Sequence, residues 1–157
     1  MPKLEPTKVT VTGEFVGLEK ALQSHLEMAC EALEMDMLDM ASCCVYGKKA
    51  AWVIEISFED LDEKESAKKA LRKFINSHKV KAAVLTARGL FRDVIDPDKV
   101  TGETIIVLGR DAYQYRLATR EFVKHLDGSI EFKPVEFSDV DEFSSPNGWF
   151  NGCKFIE

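Results

Sequence analysis

Three histidines and four cysteines are the side chains of this sequence that could act as nucleophiles or bind a transition metal. They are His25, His78, His125, Cys30, Cys43, Cys44 and Cys153. The histidines are far apart and no Cys-x-x-Cys pair occurs, so the sequence contains no linear zinc motif. We predict that the histidines pack along helix faces and that the cysteines are reduced and mostly buried. A Cys–His nucleophile pair from distant positions stays open, because sequence distance does not exclude it.

Phosphate sites and hard-cation sites also lack a motif. Neither a Gly-x-Gly-x-x-Gly segment nor a Walker-type loop is present. We predict that Asp111 caps a helix, which satisfies the N–H groups that an anion would need. The loop acids do not follow EF-hand spacing, so we interpret them as ordinary loop polarity; they are Asp93, Asp96, Asp98 and Glu103. We therefore predict no catalytic residue, no metal and no cofactor.

Two basic stripes at helical spacing are candidate binding surfaces. One lies opposite the apolar face of a predicted helix at 62–78 and consists of Lys68, Lys69, Arg72 and Lys73. The other lies along a predicted helix at 112–126 and consists of Tyr113, Arg116, Leu117, Arg120 and Lys124. Because Tyr and Arg often dominate interface energies, we predict that the second stripe contacts a protein partner. The first stripe is the surface for an alternative function, nucleic-acid binding.

The first predicted helix carries a third candidate surface. Met28 and Met35 lie beside an acidic face, and methionine suits adaptable contact surfaces. Glu27, Glu31 and Met35 therefore join the predicted partner-binding residues.

The elements that position these residues follow from hydrophobic periodicity. Helices are predicted from Gly17 to Met35, from Asp60 or Asp62 to His78, and from Asp111 to Leu126. Strands are predicted at 7–15, 42–46, 50–58, 81–87, 104–108 and 129–137, with a loop at 89–102. Pro134 suggests that the last strand lies at an edge.

The resulting fold class is α+β. The first six elements have the β-α-β-β-α-β order of a ferredoxin-like unit, followed by an extra β-α-β extension. We predict one domain over 1–157, with its core at 7–137. An aromatic-rich tail at 138–157 is expected to pack back on the domain, because four aromatic side chains would be unusual in a free tail.

Composition favours a soluble, cytoplasmic protein. The 157 residues carry a net charge of −6, and no apolar run approaches the length of a membrane span. The N-terminus has no apolar region typical of a secretory signal. The charge is uneven: −6 over 1–60, +4 over 61–99 and −4 over 134–157. Segments of one net charge influence which partners a protein binds more than they influence its fold.

These observations favour a small acidic interaction protein that is not an enzyme. We expect it to bind and inhibit or regulate another protein, as inhibitors and immunity-type proteins of phages and mobile elements do. Two alternatives remain: a nucleic-acid-binding module using the basic faces of 62–78 and 112–126, and a small-ligand sensor or enzyme without a linear motif. A homodimer is compatible with the sequence, and no membrane partner is expected.

Overall fold

A computed structural model of the chain describes residues 3–10, 15, 17–38, 41–143 and 148–157. The fold is α+β, with two helices and an open eight-stranded sheet. The elements are β1 Lys3–Thr10, α1 Leu18–Glu34, β2 Ala41–Gly47, β3 Ala50–Ser57, α2 Leu61–Ser77, β4 Val80–Arg92, β5 Val100–Asp111, β6 Tyr115–Lys124, β7 Ile130–Phe132 and β8 Glu136–Asp139. The strand order is β1-β3-β2-β4-β5-β6-β7, and β8 also pairs with β6.

The two helices lie on opposite faces of the sheet. Val84 of β4 packs in the core with α1, whereas its neighbours Ala83 and Leu85 pack in the core with α2. Because successive residues of a strand point to opposite faces, the chain forms three layers with the sheet in the middle. The first six elements follow the predicted β-α-β-β-α-β order. A fold with both helices on one face is not what the structure shows, so the ferredoxin-like arrangement is not confirmed.

Both helices form where the sequence predicts them, and each buries one apolar stripe. The buried side chains of α1 are Leu18, Leu22, Leu26, Ala29, Cys30 and Leu33. At the start of α2, Asp60 Oδ1 accepts a hydrogen bond of 2.8 Å from the Glu63 N–H, and Glu63 reaches back to the N–H of Glu59. This reciprocal cap fixes the helix start. In the described part of the chain, neither helix has the length and hydropathy that a membrane crossing requires.

The predicted third helix at 112–126 is wrong, because this segment is the strand β6. Asp111 does accept hydrogen bonds from the N–H groups of Tyr113 and Gln114, at 2.9 and 2.7 Å, but these bonds close a turn between β5 and β6. An aspartate caps a helix and closes a turn by the same local chemistry. Pairing with β5 over Arg110–Glu103 then decides in favour of the strand.

Two other boundaries differ from the predictions. Half of the predicted loop at 89–102 is strand, because β4 continues to Arg92 and β5 begins at Val100, which leaves only 93–99 as a turn. The predicted strand at 129–137 is divided into β7 and β8, with Pro134 between them, as expected of a residue that cannot donate to a strand ladder. The first strand begins earlier than predicted, and its predicted continuation at 11–14 lies outside the described residues.

The C-terminal segment 148–157 covers the α2 face of β5 and β6. Phe150 is completely buried there, and Trp149 and Phe155 pack against the same core. Two arginines fasten the segment: Arg72 donates to the carbonyl oxygens of Gly148 and Trp149, and Arg110 donates to that of Phe150 and to Glu142. Because the guanidinium groups satisfy backbone carbonyls, the segment can lie on the sheet without extending it.

Replacing Gly109 with alanine should destabilise the fold. A Cβ atom at this position would lie 2.7 Å from Leu22 Cδ2 and 2.9 Å from Leu18 Cδ1, and both leucines are buried. Overpacking of this kind costs about 1–3 kcal/mol in free energy of unfolding. Urea denaturation measures the change. Gly102→Ala is the control, because its Cβ would meet only Phe91 at an ordinary 3.5 Å. Equal stability of the two variants would contradict the close packing of α1 on β5.

Candidate functional site

A two-stranded arm projects from one end of the sheet. The pairing of β2 with β4 ends at Ser42 and Thr86, whereas β4 continues to Arg92. The pairing of β5 with β6 ends at Glu103. The first residues of β5, from Val100 to Gly102, therefore pair with β4 alone. We call residues 88–103 the arm. Its base is fixed by an ion pair of 2.6 Å between Arg88 and Glu103.

The turn at the tip of the arm is tied by its own acids. Asp93 Oδ1 accepts hydrogen bonds from the N–H groups of Ile95 and Asp96, at 2.8 and 3.2 Å. The N–H of Asp93 donates to the carbonyl of Lys99 at 3.0 Å, and Arg92 donates to the carbonyl of Pro97. The acids of this loop therefore organise the backbone. Among the described residues, no group of three His, Cys, Asp or Glu side chains could hold a metal ion.

This ordered turn presents two adjacent apolar side chains to solvent. Val94 is 97% exposed and Ile95 is 94% exposed. Leu90, Phe91 and Val100 of the arm are each about half exposed, and Leu90 and Phe91, as consecutive residues of β4, point to opposite faces of the arm. Single exposed apolar residues are normal on a protein surface, but a contiguous apolar patch with a polar rim is typical of an interaction site.

One cavity lies beside the arm on the α1 face. It has a volume of about 350 Å³, and its lining includes His25, Met28, Met37, Ser42 and Thr86. We call it the α1-face cavity. It combines polar and apolar walls, and it ends where β4 passes into the arm.

Burial holds the titratable groups in and behind the α1-face cavity in their neutral forms. A hydrogen bond of 2.6 Å joins His25 Nε2 to the Tyr46 hydroxyl. Burial lowers the pKa of His25 and raises that of Tyr46, so both groups are held neutral. Burial also raises the pKa of the neighbouring Cys44 thiol, which keeps the sulfur protonated. A nucleophilic cysteine needs the opposite shift.

The buried His25 should make stability depend on pH. Its folded pKa lies below the ordinary value of 6.5, so the unfolded chain binds the proton more readily. The stabilisation is therefore complete above pH 6.5 and is lost as pH falls through the lower, folded pKa. Urea midpoints measured at a series of pH values should fall toward acid more steeply for the native protein than for His25→Gln. Parallel profiles would show that His25 is not the group responsible.

A second cavity lies on the opposite face of the same strand. It has a volume of about 410 Å³, and its lining includes Phe58, Lys64, Leu85, Ala87, Leu108 and Trp149. We call it the α2-face cavity. Thr86 lines one cavity while Leu85 and Ala87 line the other, so both cavities flank β4 just before the arm begins.

The predicted contact stripe of Tyr113, Arg116, Leu117, Arg120 and Lys124 is not one helix face. Tyr113 is exposed in the turn before β6, and Leu117 points to the sheet face opposite the three basic residues. The basic side chains have intramolecular partners: Arg116 pairs with Asp139, Lys124 pairs with Asp36, and Arg120 donates to the carbonyl of Lys133. Arg120 also stacks on the Phe132 ring at 4.9 Å. These contacts fasten β7, β8 and the end of α1 to β6.

The predicted α1 surface is exposed. Glu27, Glu31 and Met35 lie on the outer side of the helix, and Met28 and Met37 are exposed beside them. The methionines are therefore surface residues rather than core residues. They form a second apolar surface, next to the α1-face cavity, that stays a predicted contact.

The four residues predicted to bind nucleic acid do not form one exposed patch. Lys68 is only 5% exposed; its ammonium is paired with Glu65 and lies 5.7 Å from the centroid of the Trp149 ring. Arg72 holds the C-terminal segment. Lys69 and Lys73 remain exposed on the outer side of α2. Half of the predicted surface is thus used to pack the protein's own chain.

The cysteines and the remaining histidines have structural surroundings. All four cysteines are free, and Cys30, Cys43 and Cys153 are buried. Burial raises the pKa of each of these three thiols. His78 closes the end of α2 by hydrogen bonding to the carbonyl of Phe74 at 2.7 Å. His125 follows β6, outside any helix, and pairs with Glu131.

The candidate site is the end of the sheet at which the arm, the exposed methionines of α1 and both cavities meet. The arm is not among the surfaces predicted from the sequence. Its one sequence signal is an adjacent apolar pair, Val94 and Ile95, between aspartates in a segment predicted to be a loop.

Comparison with known proteins finds no matching family model, no matching curated protein and no matching solved structure.

Proposed function

We propose that this protein acts by binding another protein through the tip of the arm, and that binding inhibits or regulates the partner. The observation that carries the proposal is the exposure of Val94 and Ile95, at 97% and 94%, on a turn whose backbone is already ordered. Burying two such side chains supplies apolar binding energy. The ordered turn reduces the entropy lost on binding.

The chemistry of the tip indicates what the partner presents. The apolar pair is flanked by Asp93, Asp96 and Asp98. A complementary site is an apolar groove rimmed by basic side chains, since matched charges steer the encounter and fix the orientation of the complex. Leu90 on one face of the arm and Phe91 on the other offer further apolar surface toward its base.

We also propose a cytoplasmic location for this interaction. All four cysteines are free, and three of them are buried in the two cores. Free thiols are typical of proteins in a reducing compartment. The net charge of −6 supports a partner that carries a basic surface.

Photo-crosslinking in cells tests the proposal. A benzophenone amino acid replaces Val94 in one variant and Leu126 in a control, because Leu126 is fully exposed in the turn between β6 and β7. Position 94 should yield an adduct with one protein, and position 126 should not. The same adducts at both positions, or none at position 94, would contradict the proposal. An adduct with a second copy of the chain would make the arm a dimer contact and overturn the inhibitory role.

A further inference from the structure

We infer that the α2-face cavity binds a small amphipathic ligand that has an extended apolar body and a single carboxylate. This site is separate from the tip of the arm, and the inference does not depend on the proposed protein partner. The volume of about 410 Å³ is within the range of about 300–1,000 Å³ found for ligand sites.

The walls of the cavity are apolar and belong to regular elements. Leu85 of β4, Leu108 of β5 and Tyr115 of β6 are buried side chains that face it. Aromatic rings of Phe58 and Trp149 contribute the sides. A wall built on strands keeps its shape without a ligand, and an apolar wall with nothing against it lacks the dispersion contacts that a bound ligand would supply.

The cavity forms because, in the part of the chain that the structure describes, neither neighbouring layer covers this part of the sheet. Helix α2 packs against β1 and β3, at one side of the cavity. The C-terminal segment is held over β5 and β6 by Arg72 and Arg110, and its Trp149 forms the other side. Among residues 3–10, 15, 17–38, 41–143 and 148–157, none fills the space over the sheet face around Ala87 and Ile106.

The polar groups of the cavity select for an anion. The Tyr115 hydroxyl is already used, because it donates to Asn151 Oδ1 at 2.9 Å and accepts from the Phe150 N–H at 3.3 Å. Two cationic residues line the cavity, and one of them, Arg88, pairs with Glu103.

Lys64 is the other cation, and it has no carboxylate partner among the described residues. Its ammonium lies 5.9 Å from the centroid of the Phe58 ring, which also lines the cavity. A lysine beside an apolar cavity gains most from a ligand that brings its own negative charge, because the surrounding apolar walls strengthen the attraction. A monocarboxylate with an aliphatic chain supplies both the charge and the apolar surface.

Calorimetric titration with decanoate and with decanol tests the inference. The two probes have the same chain, but only decanoate is charged. The native protein should bind decanoate about tenfold more tightly than decanol. Lys64→Met should remove that difference, whereas Lys69→Met, on the exposed side of the same helix, should leave it unchanged. Equal binding of both probes to the native protein, or no binding of either, would overturn the inference.

The location of the ligand needs a second variant. Ala87→Phe fills the cavity from its floor and should weaken decanoate binding at least about tenfold, with Ala112→Phe in the exposed turn before β6 as control. Native-like binding by a folded Ala87→Phe protein would overturn the assignment.

If that variant does not fold, the emission of Trp149 in a Trp52→Phe protein reports the site directly, since Trp149 lines the cavity and Trp52 packs instead on Phe74. An emission spectrum unchanged by decanoate would overturn the assignment.

Discussion

Replacing Phe150 with alanine should lower the free energy of unfolding by about 3–5 kcal/mol, the usual cost of truncating a fully buried phenylalanine. The Phe150 side chain is completely buried in the core on the α2 face, where its ring centroid lies 6.5 Å from that of Tyr115. Its backbone is anchored as well, since its carbonyl accepts from Arg110 at 2.8 Å and its N–H donates to the Tyr115 hydroxyl. The neighbours are therefore held in place and cannot collapse into the space that the ring leaves.

Urea denaturation measures this loss, and the chain offers a matched control. Phe143 belongs to the same C-terminal region but is 95% exposed, so Phe143→Ala should change the free energy of unfolding by no more than about 0.5 kcal/mol. Similar unfolding midpoints for the two variants would show that residues 148–157 do not complete the core. That outcome would also remove one wall of the α2-face cavity.

The double substitution Val94→Asp and Ile95→Asp should weaken binding of the crosslinked partner at least about 100-fold, which corresponds to about 2.7 kcal/mol. The two substitutions replace the apolar contact with carboxylates that would lose their water in the partner's groove. Both wild-type side chains are almost fully exposed, so the free energy of unfolding should change little. Isothermal titration with the purified partner measures the affinity.

Leu126→Asp is the control for the tip, because it introduces a charge at another fully exposed apolar position in a turn. Its affinity for the partner should match that of the native protein. If the tip variant bound the partner as tightly as Leu126→Asp does, the arm would not be the contact surface. If both variants lost binding equally, the effect would come from net charge rather than from the apolar pair.

The sequence predicts correctly those helices and strands whose local pattern of apolar and capping residues matches the way they pack in the fold. In α1, the apolar stripe of Leu22, Leu26 and Leu33 has helical periodicity and is the stripe that packs on the sheet. At the start of α2, the Asp60–Glu63 pair carries the sequence pattern of a capping box; Asp60 accepts from the Glu63 N–H as expected, and Glu63 accepts from the N–H of Glu59, one residue before the cap. Strands β2 and β3 are likewise predicted to within about two residues, because they enclose a short turn between apolar runs.

The segment that became β6 carries an ambiguous signal. Arg116, Arg120 and Lys124 recur every four residues, which places them on one side of a helix and equally on one face of a strand. Asp111 would accept from the N–H groups of Tyr113 and Gln114 both as a helix cap and as the first residue of a turn between strands. Only the pairing of β6 with β5 on one side and with β8 on the other separates the two structures.

The candidate site was harder to predict than the fold, because the exposure and contacts of its residues depend on which distant segments pack beside them. Arg72 looks like an exposed cation in the sequence, but the C-terminal segment returns to it from 76 residues away. Val94 looks like a loop residue, yet it lies at the end of an ordered hairpin that no strand of the described residues flanks. By contrast, the exposure of Met35 beside Glu31 was predictable from the helical wheel alone.

Amide hydrogen exchange of the protein alone and with saturating partner tests the central claim most directly, because it surveys every described surface at once. We predict that the partner slows exchange in the arm, residues 88–103, and most strongly at the tip, 93–99. Residues of α2 and of β1 should exchange at the same rate in both samples. Slower exchange confined to the outer face of α1 or to β6, with the arm unchanged, would contradict the account and assign the interaction to one of the surfaces that the sequence suggested.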